Sequence, residues 1–507
     1  ECLQKLRGMF AFGIWDETAD RLVLARDRLG QKPLFYHHTE DAFSFASTIK
    51  ALLADPKLTA QPDHRAIREY LTYQYVPHPK TGFEGIKQVA PGEYLTVEDD
   101  TVTHETYWSL NDSPPLSLSK DAIQSRVREK VRDAVRLRLR SDVPLGVFLS
   151  GGIDSSITVA MMDELGFDDI KTFSIGFDVE KFDETNYAQM VADRYDTDHH
   201  EFEVSPDEMA ALPELVDQYE MPFGDASALP TYYVSKMASD HITVALTGDA
   251  GDENFAGYPR YANYKAISFA GKFPGAVTNT GANAMERIPR QIQDAIPRVS
   301  EAQRILELAD QSQTGRYAPL ICHYNKNDTD TIYHGPETAD VLERLRELFA
   351  TIPARTSVDE ATGVDLRSYL PDDLLFKVDR ASMAHSVEVR SPFLDHELVE
   401  FARRIPAKQK MPGIQKKVVL KEAFRSYLPD AVIDRQKQGF GVPLDSWFRG
   451  RLKERGREAI VRLGERDMWD KDNLKQKWDA HINYQRDDGT QLWDLVFLEE
   501  WYERYID

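Results

Sequence analysis

Apolar positions are spaced in two ways along this chain, and the change between them marks a boundary. In the first part they form short runs cut by turns. Residues 8–15 and 21–26 read as strands around an acidic turn, 26–36 as a loop entering a further strand, and 42–46 as more of the same. Pro77-His78-Pro79-Lys80-Thr81-Gly82 is turn chemistry, and Asn111-Asp112-Ser113-Pro114-Pro115-Leu116-Ser117 reads as a linker. Beyond it, Ile123, Val127, Val131, Ala134, Val135 and Leu139 recur at helical spacing. Strands then alternate with helices: strands at 146–149, 170–175, 199–204 and 242–246, helices at 155–165, 185–194 and 207–219. That alternation predicts an α/β fold, a parallel sheet with helices on both faces. Ligands on such sheets bind at the carboxyl ends of the strands. From about Tyr258 the pattern is mostly helical.

Composition narrows the function classes. The 507 residues leave room for two to four domains. With 42% hydrophobic and 29% charged residues, the chain has the make-up of a soluble globular protein. No apolar run approaches the roughly 20 residues of a membrane helix, and no secretory signal opens the chain. A net charge of −22 repels nucleic-acid backbones, so any phosphate site must be local, built from backbone amides and a few cations. The same argument makes the basic face of the helix near residue 130 a solvated one. Cys2 and Cys322 are too few for a disulfide framework or a thiolate metal cage, and predict free thiols in a reducing cytoplasm.

Two loops carry chemistry. Ser150-Gly151-Gly152-Ile153-Asp154-Ser155-Ser156 follows an apolar strand and opens a helix. Its glycines allow a sharp turn and a close backbone approach to a ligand. The helix start adds unsatisfied amides and a positive dipole end, which attract anions. The hydroxyls of Ser150, Ser155 and Ser156 suit phosphate oxygens. Asp154 would repel phosphate without an intervening cation, so it predicts Mg²⁺. The second loop, Thr247-Gly248-Asp249-Ala250-Gly251-Asp252-Glu253, also follows a strand and should emerge at the same sheet edge. Its three carboxylates repel one another unless a cation intervenes. Pairing the loops predicts a Mg²⁺ shared by Asp154 and Asp252. A third segment, Asp434-Arg435-Gln436-Lys437-Gln438-Gly439-Phe440-Gly441, holds a lysine that would offset charge at phosphorus if it swung over the site. Its spacing alone favours a plain surface loop.

Taken in order, these motifs resemble a known family. Ser150 to Ser156 resembles the PP-loop of the N-type ATP pyrophosphatases. Joined by Thr247 to Glu253, Tyr258-Pro259-Arg260-Tyr261, Phe376-Lys377-Val378-Asp379-Arg380, Glu388-Val389-Arg390-Ser391-Pro392-Phe393-Leu394-Asp395 and Arg435 to Phe440, it resembles the glutamine-hydrolysing asparagine synthetases over essentially the whole chain. The resemblance implies an incomplete type 2 glutamine amidotransferase (Ntn-type, α+β) unit with its linker at 1–112 and an adenylating synthetase domain at 116–507. It implies that Leu149, Ile175 and Thr247-Gly248 contact the nucleotide and that Ser150, Gly151, Gly152, Asp154, Ser155 and Ser156 form its phosphate loop. Asp154 and Asp252 would hold Mg²⁺, and Lys437 would stabilise adenylate formation. Asp249 stands where some members have glutamate, beside the intermediate and the incoming ammonia.

The implied reaction, with ATP and Mg²⁺, is amidation of aspartate to asparagine through β-aspartyl-AMP, releasing AMP and pyrophosphate. The chain starts at Glu1, and Cys2 lies in Cys2-Leu3-Gln4-Lys5-Leu6-Arg7-Gly8-Met9-Phe10, which resembles the late part of the glutaminase. The family's cysteine nucleophile is therefore expected to precede this chain. The intact protein would draw nitrogen from glutamine, and this chain from free ammonia. Two other readings share the phosphate-handling residues: an amidotransferase for another carboxylate, of β-lactam synthetase or sugar-acid type, and an inactive nucleotide-binding partner. Asp225, Arg380 and Arg390 are polar candidates for recognising the acceptor. A cytoplasmic enzyme is expected, with neither nucleic acid nor membrane as partner. Sequence is silent on oligomeric state, a homodimer being one expectation.

Overall fold

The computed structural model describes residues 1–99, 101–110, 113–177, 184–204, 211–274, 297–335, 340–435 and 441–507. Two antiparallel sheets open the chain. Their strands are β1 (Ala11–Asp16), β2 (Arg21–Arg26), β3 (Phe35–His38), β4 (Phe43–Ala46), β5 (Ile86–Gln88), β6 (Glu93–Glu98) and β7 (Thr101–Thr106). They pair in the orders β1-β2-β6-β7 and β4-β3-β5. The apolar runs near 8–15, 21–26 and 42–46 do form strands. By contrast β7 is an edge strand with Val102 as its one apolar side chain, and it carries no hydrophobic signal to read.

A five-stranded parallel sheet follows, made of β8 (Leu145–Phe148), β9 (Lys171–Phe177), β10 (Asp198–Val204), β11 (Val244–Leu246) and β12 (Glu388–Arg390). Its order is β10-β9-β8-β11-β12. The chain winds outward from β8 to β10, then crosses back to β11 on the other side of β8. That reversal opens a crevice at the carboxyl ends of β8 and β11, where ligands bind in sheets of this kind. β12 lies in the part whose pattern reads as mostly helical; three residues are too few for a period to show. It is nevertheless registered on β11, Val244 opposite Glu388 and Leu246 opposite Arg390.

Alternation along the strands gives the sheet two cores. Leu145, Val147, Val244 and Leu246 face one side with Val127, Val131 and Val159. Phe173, Ile175 and Ala245 face the other, where Tyr219, Tyr232 and Trp501 join Phe35, Ile67 and Tyr70 from the first part of the chain. The second core is thus common to the antiparallel and parallel sheets. Polar contacts follow the same seam. Lys32 Nζ lies 2.8 Å from Asp379, Gln74 Nε2 donates to Asp373 at 2.9 Å, and His78 Nδ1 donates to Asp372 at 2.6 Å. Burial, aided by Arg344, lowers His78 to a pKa of about 4, so the ring is neutral.

The basic helix Lys120–Arg138 buries Ile123, Val127, Val131, Ala134 and Val135 as its spacing predicts. Its cations face carboxylates: Arg132 meets Glu164 at 2.9 Å, Lys130 meets Glu397 at 2.8 Å, and Arg138 meets Asp395 at 2.7 Å. Asp395 also accepts from Arg7 Nε at 2.8 Å and caps the helix His396–Arg404. Its side chain is 1% exposed. Burial pushes its pKa up, but Arg7 and Arg138 outweigh burial and bring it to about 2. The depressed pKa means that ionised Asp395 stabilises the fold by about 2 kcal/mol. This contribution is fully present above the unfolded value of 3.8 and is lost as pH falls through about 2. Asp395→Asn should therefore lower stability near neutrality, with the gap to wild type in denaturant titrations narrowing as the pH is taken below about 4. A gap that stays constant would show that these ion pairs contribute nothing.

Candidate active site

Both crevice loops are held by backbone constraints. After β8, Leu149 donates its N–H to the Phe173 carbonyl at 2.8 Å and accepts from Ser174 Oγ at 2.6 Å, which anchors the loop to β9. Gly151 has φ +66°, and a Cβ there would sit 2.7 Å from the Ala188 nitrogen, so only glycine fits. Gly152 then caps the helix Ile153–Glu164 with no side chain covering its first amides. The hydroxyls divide: Ser156 is fully buried and donates to the Gly152 carbonyl at 2.7 Å, whereas Ser150 and Ser155 line the crevice. The second loop runs from β11 into the short helix Gly251–Phe255. Thr247 Oγ1 donates to Asp249 at 2.7 Å, and Ser391 Oγ donates to the Asp249 carbonyl at 2.6 Å.

Asp154 of the first loop and Asp252 of the second meet on one cation, Lys417. Its Nζ lies 2.6 Å from Asp252 Oδ1 and hydrogen-bonds Asp154 Oδ2. Lys417 is 5% exposed and immediately precedes the helix Val418–Phe424, in a left-handed backbone conformation. Burial would lower its pKa; the two carboxylates outweigh burial and hold the ammonium well above its ordinary range. The approach is tight enough that a Cβ on Gly251 would overlap the Asp154 carboxylate. Glu253, next to this group, is buried away from water and beside Asp252, which raises it to about 7; Tyr258 donates to it at 2.9 Å.

These groups line a cleft of about 1430 Å³. Leu149 and Ile175 contribute to one apolar wall with Phe148, Phe173 and Val234. Ser150, Gly152, Asp154, Ser155, Thr247, Gly248, Asp249 and Asp252 are all on its surface, while Gly151 and Ser156 stand behind the loop. Lys416, Lys421, Arg425 and Arg435 supply cations at the rim. Arg435 pairs with Glu184 at 2.6 Å and covers the Tyr187 ring at 4.5 Å. Lys437 lies outside the described residues. Of the acceptor candidates, Asp225 is in the cleft. Arg380 turns toward Glu220 and the Ser47 carbonyl, and Arg390 toward Glu388 and the carbonyls of Arg138 and Arg140. Sequence reasoning missed Lys417 altogether, its only local mark being a Lys416-Lys417 pair before an apolar helix.

The site can bind a polyanion between loop amides and rim cations, with an apolar wall for a flat ring. Comparison with known proteins gives the family. A family model described as asparagine synthase matches residues 126–503, and a glutamine amidotransferase domain model matches residues 1–108. The chain belongs to the asparagine synthase family. It is similar to the glutamine-hydrolysing asparagine synthetase 1 of Bacillus subtilis, at 31% identity over all of this chain and 79% of that protein. A putative glutamine-hydrolysing asparagine synthetase of Mycobacterium tuberculosis shares 29% over all of this chain and 78% of its own. An amidase, chry2, of Gibberella zeae shares 28% over 91% of this chain and 73% of its own. The family supports a glutamine-dependent carbon–nitrogen ligase that uses ATP, and ligands on parallel sheets of this kind bind at the carboxyl ends of the strands. Among the described residues no helix is long and apolar enough to cross a membrane.

Gly251→Ala forces the Asp154 carboxylate aside. Overpacking of this kind costs about 1–3 kcal/mol of stability, and displacing Asp154 should separately weaken ATP binding. Calorimetric ATP titration beside a thermal melt separates this from unfolding. Unchanged affinity in a folded variant would mean that Asp154's position is not needed for the nucleotide.

Proposed function

We propose that the chain amidates aspartate by way of β-aspartyl-AMP. A side-chain carboxylate oxygen of aspartate attacks the α-phosphorus of ATP, a P–O bond to pyrophosphate breaks, and the acyl adenylate forms. Ammonia then attacks the acyl carbon, the C–O bond to AMP breaks, and a proton leaves with asparagine formed. The nitrogen comes from glutamine where the amidotransferase unit supplies it, and from free ammonia otherwise.

The observation that carries this reading is the meeting of Asp154 and Asp252 on one cation at the carboxyl edge of a parallel sheet. Lys417 bridges the two carboxylates here; as hard oxygen donors Asp154 and Asp252 would suit Mg²⁺, an ion usually held by one or two carboxylates together with substrate phosphates. When bound, Mg²⁺ would supply charge neutralisation to the leaving pyrophosphate. The chain's own groups do the rest. Amides at Gly152 and the Ser150 and Ser155 hydroxyls orient the phosphates, Leu149, Ile175, Thr247 and Gly248 take the nucleoside, and Lys437 offsets charge developing at phosphorus. Asp249 accepts the proton that the attacking ammonia gives up.

Aspartate-dependent exchange of pyrophosphate into ATP tests the first half-reaction without a nitrogen source. Exchange that needs a different carboxylate would replace aspartate as acceptor. Asp154→Asn and Lys437→Ala should each slow exchange by about a hundredfold or more, the scale for losing one electrostatic stabiliser. Near-normal rates in both would remove these residues from the mechanism. Lys417→Met leaves Asp154 and Asp252 facing each other, so millimolar Mg²⁺ should raise its melting temperature more than that of wild type. An equal or smaller rise would argue against these carboxylates as the metal ligands.

A further inference from the structure

The cleft holds an ion pair that phosphate handling does not use. Lys377 Nζ lies 2.6 Å from Asp225 Oδ2 and donates to Ser227 Oγ at 2.7 Å. Asp225 Oδ1 accepts from the Ser227 amide at 2.9 Å and from its hydroxyl at 2.7 Å. Lys377, Asp225 and Ser227 all line the same cleft as the two loops. Lys377 and Asp225 come from unrelated parts of the chain, Asp225 just before the helix Ala228–Ser239 and Lys377 from the helix Phe376–Met383.

The pair is a fixed, electrically neutral unit. Burial works against both charges, yet each partner outweighs it for the other, so Lys377 stays ionised and Asp225 stays below its ordinary range. Asp373 stands beside Asp225. Burial and the Asp225 charge push it well above the carboxylate range, and Gln74 donates to it at 2.9 Å. It therefore adds a neutral carboxyl rather than a second anion. A buried ion pair is a poor stabiliser, because its attraction barely repays desolvation. One ammonium and one carboxylate on a cleft wall do, however, match one specific ligand group. The head of an α-amino acid carries the same two charges, and laid antiparallel it meets each with its opposite.

We propose that Lys377 and Asp225 bind the α-carboxylate and α-ammonium of the acceptor amino acid, leaving its side-chain carboxylate free to reach the phosphate loops. This rests on the reading that the acceptor is aspartate and adds how the head group is recognised. Arg380 and Arg390 are engaged outside the cleft and do not compete for the role.

The test uses pyrophosphate exchange with aspartate as substrate and two competitors. Succinate keeps both carboxylates but lacks the amine; 3-aminopropanoate keeps the amine but lacks the α-carboxylate. Lys377→Met should raise KM for aspartate and Ki for succinate about 10- to 100-fold, with Ki for 3-aminopropanoate little changed. Asp225→Asn should raise KM for aspartate and Ki for 3-aminopropanoate by a similar factor and spare succinate. ATP affinity in both should remain near wild type, which also reports folding. Should Lys377→Met not fold, Asp225→Asn decides alone, since Asn can still accept from Lys377. Equal changes for all three acids, or an aspartate KM unchanged in folded variants, would overturn the proposal. Absence of aspartate-dependent exchange in the wild type would instead overturn the acceptor reading on which it rests.

Discussion

The Asp154–Lys417–Asp252 bridge is the interaction on which the site depends. It joins three stretches of chain: the turn after β8, the turn after β11 and the start of the helix Val418–Phe424. Two carboxylates brought this close would repel without a cation between them. The Asp154 carboxylate also packs directly on Gly251, where any added Cβ would displace it. The turns are thus tied to each other electrostatically as well as through the strands that carry them.

The sheet order explains why these turns are neighbours. Because the winding reverses between β8 and β11, two loops about a hundred residues apart in sequence leave the same edge side by side. The cleft they bound has distinct regions. Apolar walls from β8 and β9 suit a flat ring, the loop amides and rim cations suit phosphates, and the Lys377–Asp225 pair is a separate polar station. Such a division allows a nucleotide and a small charged acceptor to be held at once.

Much of this was legible in the sequence, and the remainder was hidden for identifiable reasons. The turns at 150–156 and 247–253 could be read because apolar strands, glycines and carboxylates coincide there. Leu149 and Ile175 were reached through family resemblance, and both line the cleft. Lys417 was not legible, since no local pattern separates it from the other 61 basic residues of the chain's 62. Its importance arises only when two distant loops close on it. Lys377 stood inside a recognised motif, but its pairing with Asp225 across 152 positions is a tertiary fact. β12 was missed because three residues cannot establish a period. Ser156 shares its residue type with Ser155, and only the fold turns its hydroxyl inward.

The core shared by the antiparallel and parallel sheets bears on how the molecule can be taken apart. Phe35, Ile67 and Tyr70 pack in the same apolar cluster as Phe173, Tyr219 and Trp501. Excising the amidotransferase portion to obtain a free-standing synthase would cut through that cluster and leave a wet apolar scar beside the cleft. Grafting a foreign nitrogen-donor module onto this synthase would require recarving the scar to fit its new tenant.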